Sequence, residues 1–151
     1  MKVMISIVPF SENHLVAVAE LEKLCFSLPW SREMFADELK SNIAHYLVAI
    51  DDKKNTLGYI GMWKILDEGH ITNVAVSPNY RRQGIGEKLI CELINNAKKF
   101  ELVMLTLEVR KSNVPAQNLY SKYDFKEVGI RKKYYSDTNE DAIIMTLELK
   151  L

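Results

Sequence analysis

Ile71-Thr72-Asn73-Val74-Ala75-Val76-Ser77-Pro78-Asn79-Tyr80-Arg81-Arg82-Gln83-Gly84-Ile85-Gly86 is the stretch on which the reading of this chain turns. Its first six residues are rich in β-branched side chains and read as a strand; Ser77-Pro78-Asn79 is turn-forming. After Gly84 the apolar period becomes helical. Ile85, Leu89, Ile90, Leu93, Ile94 and Ala97 share one face of a helix over Gly84–Phe100, about 25 Å long. The backbone amides at such a helix start lack helical partners and the dipole favours negative charge, so the loop is an anion site. Glycine at 84 and 86 admits phosphate oxygens close to the backbone, and Arg81 and Arg82 offer counter-charge. Neither the Walker pattern nor the three-glycine dinucleotide fingerprint fits, so another phosphate-bearing cofactor is implied.

Upstream, three strand-like runs, Tyr46–Ile50, Leu57–Ile65 and His70–Val76, are separated by turn-forming residues at Asp51–Asn55 and Asp67–Gly69, which predicts an antiparallel meander. Before them, Val3–Val8 reads as a strand. A helix follows through Leu15, Val18, Leu21, Glu22 and Leu24, with Ser11 and Asn13 as polar caps. Phe26-Ser27-Leu28-Pro29-Trp30-Ser31 breaks that helix, and Ser31 starts another through Met34, Phe35 and Leu39.

Downstream come a strand at Val103–Val109, a helix at Asn113–Tyr123 with Pro115 in its first turn, and strands at Lys126–Lys132 and Ala142–Leu149. The helix between Val76 and Val103 is a βαβ crossover, so the strands it joins should be parallel. The expected fold is α/β: a single mixed, mostly antiparallel sheet of about seven strands with helices on both faces, in one domain over residues 1–151.

The chain has 20 Lys and Arg against 20 Asp and Glu, so no global field draws it to nucleic acid or an anionic membrane. Cys25 and Cys91 lie in apolar-periodic stretches without CxxC or histidine-linked spacing and read as buried thiols. His14, His45 and His70 are scattered, so no metal site is expected. The apolar start is broken at Pro9 and turns polar at once, too short for a signal peptide or membrane span, and the expected location is cytoplasmic.

Arg81-Arg82-Gln83-Gly84-Ile85-Gly86 resembles the signature of the GNAT superfamily of acetyltransferases. Four more segments are similar to its RimI family: Phe26-Ser27-Leu28-Pro29-Trp30-Ser31, Leu107-Glu108-Val109-Arg110, Asn113 with Ala116, Leu119 and Tyr120, and Tyr134-Tyr135 followed by Glu140-Asp141-Ala142-Ile143-Ile144-Met145. Together they span nearly the whole chain. The resemblance implies a GNAT fold, acetyl-CoA as co-substrate and no metal. It also implies acetyl transfer to the N-terminal α-amine of a protein, an alanine on a small-subunit ribosomal protein.

Carried over residue by residue, the resemblance makes Glu108 the general base and Tyr120 the general acid. It assigns the cofactor to Val74, Ala75, Val76, Arg82, Gln83, Gly84, Ile85, Gly86, Glu87, Asn113 and Tyr120. The backbone of Val74–Val76 would pair with the pantetheine arm, and an N–H near Val76 would polarise the acetyl carbonyl. Read by residue type alone, Glu108 could be a solvated strand glutamate, Tyr120 a packing aromatic and Asn113 a helix cap. Glu68 and His70 stand as reserve candidates for the base. Trp30, Tyr134 and Tyr135 serve either the core or the peptide entrance.

One residue departs from the family pattern: Asp124 stands where glycine is usual, although aspartate tolerates the left-handed conformation better than most residues. Substrate chemistry favours an α-amine. It titrates near ~7.8 against ~10.4 for lysine, so its neutral form is favoured by roughly 3.5 kcal/mol at neutral pH. The alternatives are a GNAT enzyme acting on lysine, a polyamine or another small amine, and a non-catalytic CoA-binding module.

Overall fold

The computed structural model describes residues 4–149. Its strands are β1 (Ser6–Pro9), β2 (Ala44–Ile50), β3 (Thr56–Ile65), β4 (Glu68–Val76), β5 (Met104–Arg110), β6 (Lys126–Tyr135) and β7 (Glu140–Glu148). They form a seven-stranded sheet in the order β1-β2-β3-β4-β5-β7-β6. Only β4 and β5 run parallel; the other neighbours are antiparallel, as the meander and the crossover require. The part of the expected first strand at Val3 lies outside the described residues.

Helices α1 (Leu15–Cys25) and α2 (Arg32–Lys40) cover one face, and α3 (Ile85–Lys99) with α4 (Val114–Lys122) the other. The six periodic apolar residues of α3, from Ile85 to Ala97, are all buried, packed on Leu57, Ile60, Leu105 and Leu107. On the opposite face Val18, Leu21 and Phe35 meet Tyr46, Val48, Tyr59 and Ala75. Ser31 caps α2 by accepting from the Met34 amide at 3.2 Å. Ser11 acts one turn earlier than expected, engaging His14 across the short turn Glu12–His14 that precedes α1.

Two sequence expectations change. β4 begins at Glu68 rather than His70, because Gly69 is not a turn residue: a Cβ there would lie 2.6 Å from both Leu105 Cδ2 and Met62 Sδ. Its bare backbone lets β5 approach. Neither cysteine is fully buried; Cys25 and Cys91 are partly buried free thiols. No helix among the described residues is long and apolar enough to cross a membrane.

The sheet is not evenly joined. β4 and β5 share only the register positions Glu68–Met104, Gly69–Leu105 and His70–Thr106, whereas β5 pairs with β7 along its whole length. Just beyond, the β3–β4 register slips between Gly61 and Met62, leaving Thr72 as an extra residue on β4. Such a bulge bends the strand that carries it. Beyond His70 the two parallel strands are no longer hydrogen-bonded to one another, and the sheet opens into a slot.

Candidate active site

Backbone parity decides what the slot offers. The Ser77 amide donates to the Leu57 carbonyl at 2.7 Å, so Leu57–Ser77 is a hydrogen-bonded antiparallel pair. Opposed residues alternate between bonded and non-bonded pairs, so Val76 (opposite Gly58) and Val74 (opposite Ile60) turn their N–H and C=O groups away from β3. Those groups face the slot. The Val76 carbonyl accepts instead from Arg81 Nε at 3.3 Å and from Cys25 Sγ at 3.5 Å. Ala75 lies opposite Tyr59 in a bonded pair, so its amide is spent inside the sheet. Of the three strand residues expected to hold a cofactor arm, Val74 and Val76 present free amides and Ala75 does not.

The glycine loop meets the requirements of an anion cradle. Gly84 is the N-cap of α3 at φ 77° with no side-chain cap, and the first helical bond runs from the Lys88 amide back to Gly84. The amides of Ile85, Gly86 and Glu87 are therefore the unpartnered donors of a helix start. Nothing lies within 4 Å of a Cβ built on Gly84. Arg82 has a left-handed backbone (φ 64°), and Arg82 and Gln83 are both exposed beside the loop. The Glu87 carboxylate is engaged by Lys122, which offsets its charge at the loop. Arg81 departs from expectation: its guanidinium folds back onto Val76 and Cys25 instead of standing over the loop. The free amides of Val74 and Val76 and the uncapped start of α3 fit the pantetheine and pyrophosphate of a CoA thioester.

Across the slot, β5 turns Leu105, Leu107 and Val109 into the core on the α3 face. Glu108 and Arg110 alternate onto the face of α1 and α2. Glu108 is not a solvated strand glutamate: its side chain is 12% exposed. Oε2 lies 2.6 Å from His70 Nε2 and Oε1 lies 3.3 Å from Arg131 Nε. The His70 bond, opposed by burial and helped by Arg131, holds the Glu108 carboxyl below its ordinary range. The His70 ring is tilted against Trp63, centroids 6.2 Å apart, and Trp63 Nε1 donates to Glu38 of α2 at 3.0 Å. Glu68, by contrast, is exposed at the start of β4, two positions before His70.

Tyr120 on α4 is 7% exposed, its ring packed on Phe125 with centroids 5.6 Å apart. Burial raises the phenol's titration well above its normal range. No buried side-chain oxygen lacks a partner among the described residues. Among the described residues, the Tyr120 hydroxyl makes no side-chain hydrogen bond and is not a fully sealed polar atom left without a partner, so it keeps a small access to its surroundings. Asn113 caps α4 through its side-chain oxygen on the Ala116 amide at 3.2 Å, leaving its NH₂ group unspent by the cap.

Two further elements frame the acceptor side. Arg110 bonds Asp137 at 2.8 Å, reaches Glu140 at 3.5 Å and lies over the Tyr135 ring at 4.0 Å. Tyr134 is 48% exposed and feels the charge of Glu108, whereas Tyr135 is pressed beneath Arg110. Trp30 packs on Phe35 and donates its amide to the buried Glu22 at 3.0 Å, so it serves the core beneath the α1–α2 loop. His14 and His45 bond Ser11 and Asn96, away from the slot. Sequence reasoning missed the roles of Arg131 and Glu22, which carry no motif.

A split parallel pair beside an uncapped glycine loop, with a carboxylate and an imidazole meeting at the fork, defines a group-transfer site of the N-acetyltransferase class. The Acetyltransferase (GNAT) family model matches residues 15–125, and the chain belongs to that family. It is 45% identical over 129 residues, 85% of either chain, to a Bacillus subtilis (strain 168) protein provisionally named a ribosomal protein bS18-alanine N-acetyltransferase. To the Escherichia coli (strain K12) ribosomal protein bS18-alanine N-acetyltransferase it is 35% identical over 139 residues, 91% of this chain and 93% of that one. The crystal structure of the Escherichia coli ribosomal-protein-S18-alanine N-acetyltransferase superposes with a TM-score of 0.90 at 34% identity, over 98% of this chain and 96% of that one.

Proposed function

We propose that this protein transfers an acetyl group from acetyl-CoA to the N-terminal α-amine of ribosomal protein bS18, an alanine. The observation that carries the reading is the slot: on β4, free Val74 and Val76 amides open beyond the fork at which His70 meets Glu108 of β5. When bound, acetyl-CoA supplies an activated acetyl thioester. The chain's own groups do the rest. The uncapped α3 amides at Ile85, Gly86 and Glu87, with Arg82, Gln83 and the Asn113 NH₂, hold the anionic and polar parts of the donor. The inward N–H of Val74 or Val76 stabilises negative charge developing on the acetyl oxygen. The Glu108–His70 pair accepts the proton that the α-ammonium must lose, and the Tyr120 hydroxyl donates one to the departing thiolate.

The two lips above the acceptor side, the α1–α2 loop and the β6–β7 turn, favour an acceptor that enters end-on, as an N-terminus does. The test is acetylation of a synthetic peptide with the bS18 N-terminal sequence, followed by mass spectrometry and free-thiol release. The expected result is one acetyl group on the α-amine and none on an internal lysine. Modification of lysine alone would overturn the acceptor assignment, and binding of acetyl-CoA without thiol release with any amine would overturn the enzymatic one.

A further inference from the structure

We propose that His70 is the group that takes the acceptor's proton and that Glu108 holds and charge-balances its ring, so the base is a carboxylate–imidazole relay rather than a lone carboxylate. The inference rests on the acetyl-transfer reading above and assigns the labour within its site.

Both Glu108 oxygens are already engaged, one by a hydrogen bond and the other by an ion pair. Oε2 faces His70 Nε2 at 2.6 Å and Oε1 faces Arg131 Nε at 3.3 Å. A carboxylate so occupied is a weak base towards an α-ammonium, whose titration near ~7.8 lies more than three powers of ten above even a free glutamate's ~4.3. With Nε2–H donating to Glu108, the lone pair of His70 lies on Nδ1. The ring is 29% exposed on its side chain, against 12% for Glu108, so His70 is the more accessible of the two to an amine or an intervening water.

The ring is also held in place. Glu108 on β5 fixes Nε2, and Trp63 on β3, itself tied to Glu38 of α2, packs against the ring. Arg131 on β6 pairs with the other Glu108 oxygen, Tyr134 on β6 feels its charge, and Glu68 lies two residues away on the ring's own strand. A carboxylate that orients one imidazole nitrogen so that the other can accept a proton is a general arrangement in acid–base catalysis. The step balances. The N–H bond of the α-ammonium breaks as a bond forms to Nδ1, and the nitrogen lone pair is freed for the acetyl carbon. The resulting imidazolium sits against the Glu108 carboxylate until water removes its proton.

The test uses the full-length protein, acetyl-CoA and an alanine-initiated peptide. His70→Asn and His70→Ala are expected to lower kcat by ~10²–10⁴-fold, with acetyl-CoA affinity by calorimetry within about twofold, since the cofactor loop lies elsewhere. Added imidazole should restore part of the His70→Ala rate in proportion to its free-base concentration, while sodium chloride of equal ionic strength should not. In Glu108→Gln, the ¹⁵N spectrum of the His70 ring should lose its fixed Nε2–H tautomer. Variants of His70 within threefold of the parent rate, or a loss that imidazole leaves untouched, would overturn the relay. A parent enzyme that acetylates no α-amine would overturn the functional reading instead, so the two failures are distinct.

Discussion

Ser27 in the α1–α2 loop donates a 2.5 Å hydrogen bond to Asp137 at the β6–β7 turn, joining two lips that lie 110 positions apart in the chain. Arg110, at the end of β5, holds the same Asp137 oxygen at 2.8 Å. Removing the clasp through Ser27→Ala with Asp137→Ala is expected to raise the peptide KM by about three- to tenfold, the worth of one or two net hydrogen bonds, with acetyl-CoA affinity unchanged. Steady-state kinetics with each substrate varied in turn checks this; an equal effect on both substrates would remove the clasp from the acceptor side.

The same carboxylate sets an acid limit. Bonds from Arg110 and then Ser27 hold the Asp137 carboxyl down at about 2. A depressed carboxyl contributes stability that is present above the unfolded value of ~3.9 and lost as pH falls through the folded one. The Ser27–Asp137 effect on peptide KM should therefore be constant from neutral pH down to about pH 4. A clasp that failed between pH 5 and 6 would have to depend on another group.

Tyr120→Phe removes a hydroxyl and leaves the ring packed on Phe125, so fold and cofactor affinity should persist while transfer slows. A CoA thiol titrates near ~8.5, so its thiolate leaves with moderate ease and the loss should be smaller than for the base. Acyl donors with more acidic thiols should shrink the deficit. A deficit independent of the leaving thiol would assign Tyr120 to positioning, and a fully active variant to packing alone.

At the loop, two glycines should fail differently. Gly84 sits at φ 77° with open space around it, so Gly84→Ala costs about 1–2 kcal/mol through backbone conformation rather than collision. Gly86 has no such strain, and a Cβ there would lie an ordinary 3.5 Å from Leu119. Gly86→Val is therefore expected to spare folding while weakening acetyl-CoA binding at least tenfold by covering the helix amides. Calorimetry of binding beside thermal unfolding separates the two effects, and unchanged affinity in Gly86→Val would move the pyrophosphate elsewhere.

Glu22 carries a different pH signature. It is 1% exposed, bonded by the Tyr59 hydroxyl and the Trp30 amide, and burial raises its carboxyl despite those bonds. A raised acid contributes stability that is full below its unfolded value of ~4.3 and lost as pH rises through the folded value. Glu22→Gln cannot ionise and can still meet both partners, so it should gain on the parent protein as pH rises above about 4. Glu22→Ala strands two donors and should lose about 2–5 kcal/mol at every pH. Denaturant midpoints across pH measure both; parallel curves for Glu22→Gln and the parent would sink the argument.

Legibility in the sequence followed the range of the interactions. The α3 face, the meander and the parallel crossover were readable because each is a local period or a connection length. Asp124 was readable too: its φ of 72° is the left-handed turn expected where glycine is usual. Gly69 was misread, since composition cannot tell a turn glycine from one that makes room for Leu105 and Met62. The cysteines were misread because helical periodicity does not specify how far a rim position is covered. His70 and Glu108 were each visible as candidates, but their contact depends on the parallel register of strands 38 positions apart and on a bulge at Thr72 that no motif announces. Arg131 and Glu22 act only through tertiary partners.

The short seam between β4 and β5 has a thermodynamic consequence. Strands β1–β4 and β5, β7 and β6 are two blocks joined by three register positions and by the chain through α3. On the proposed placement, a donor in the slot would bond the amides of one block while its pyrophosphate met the helix linking both, and its binding free energy would become cohesion between the blocks. By mass action that adds RT ln(1 + [L]/Kd), about 2.7 kcal/mol at a hundredfold excess over Kd. The protein's resistance to unfolding is thereby tied to the supply of the acetyl donor, and starvation for it loosens the enzyme itself.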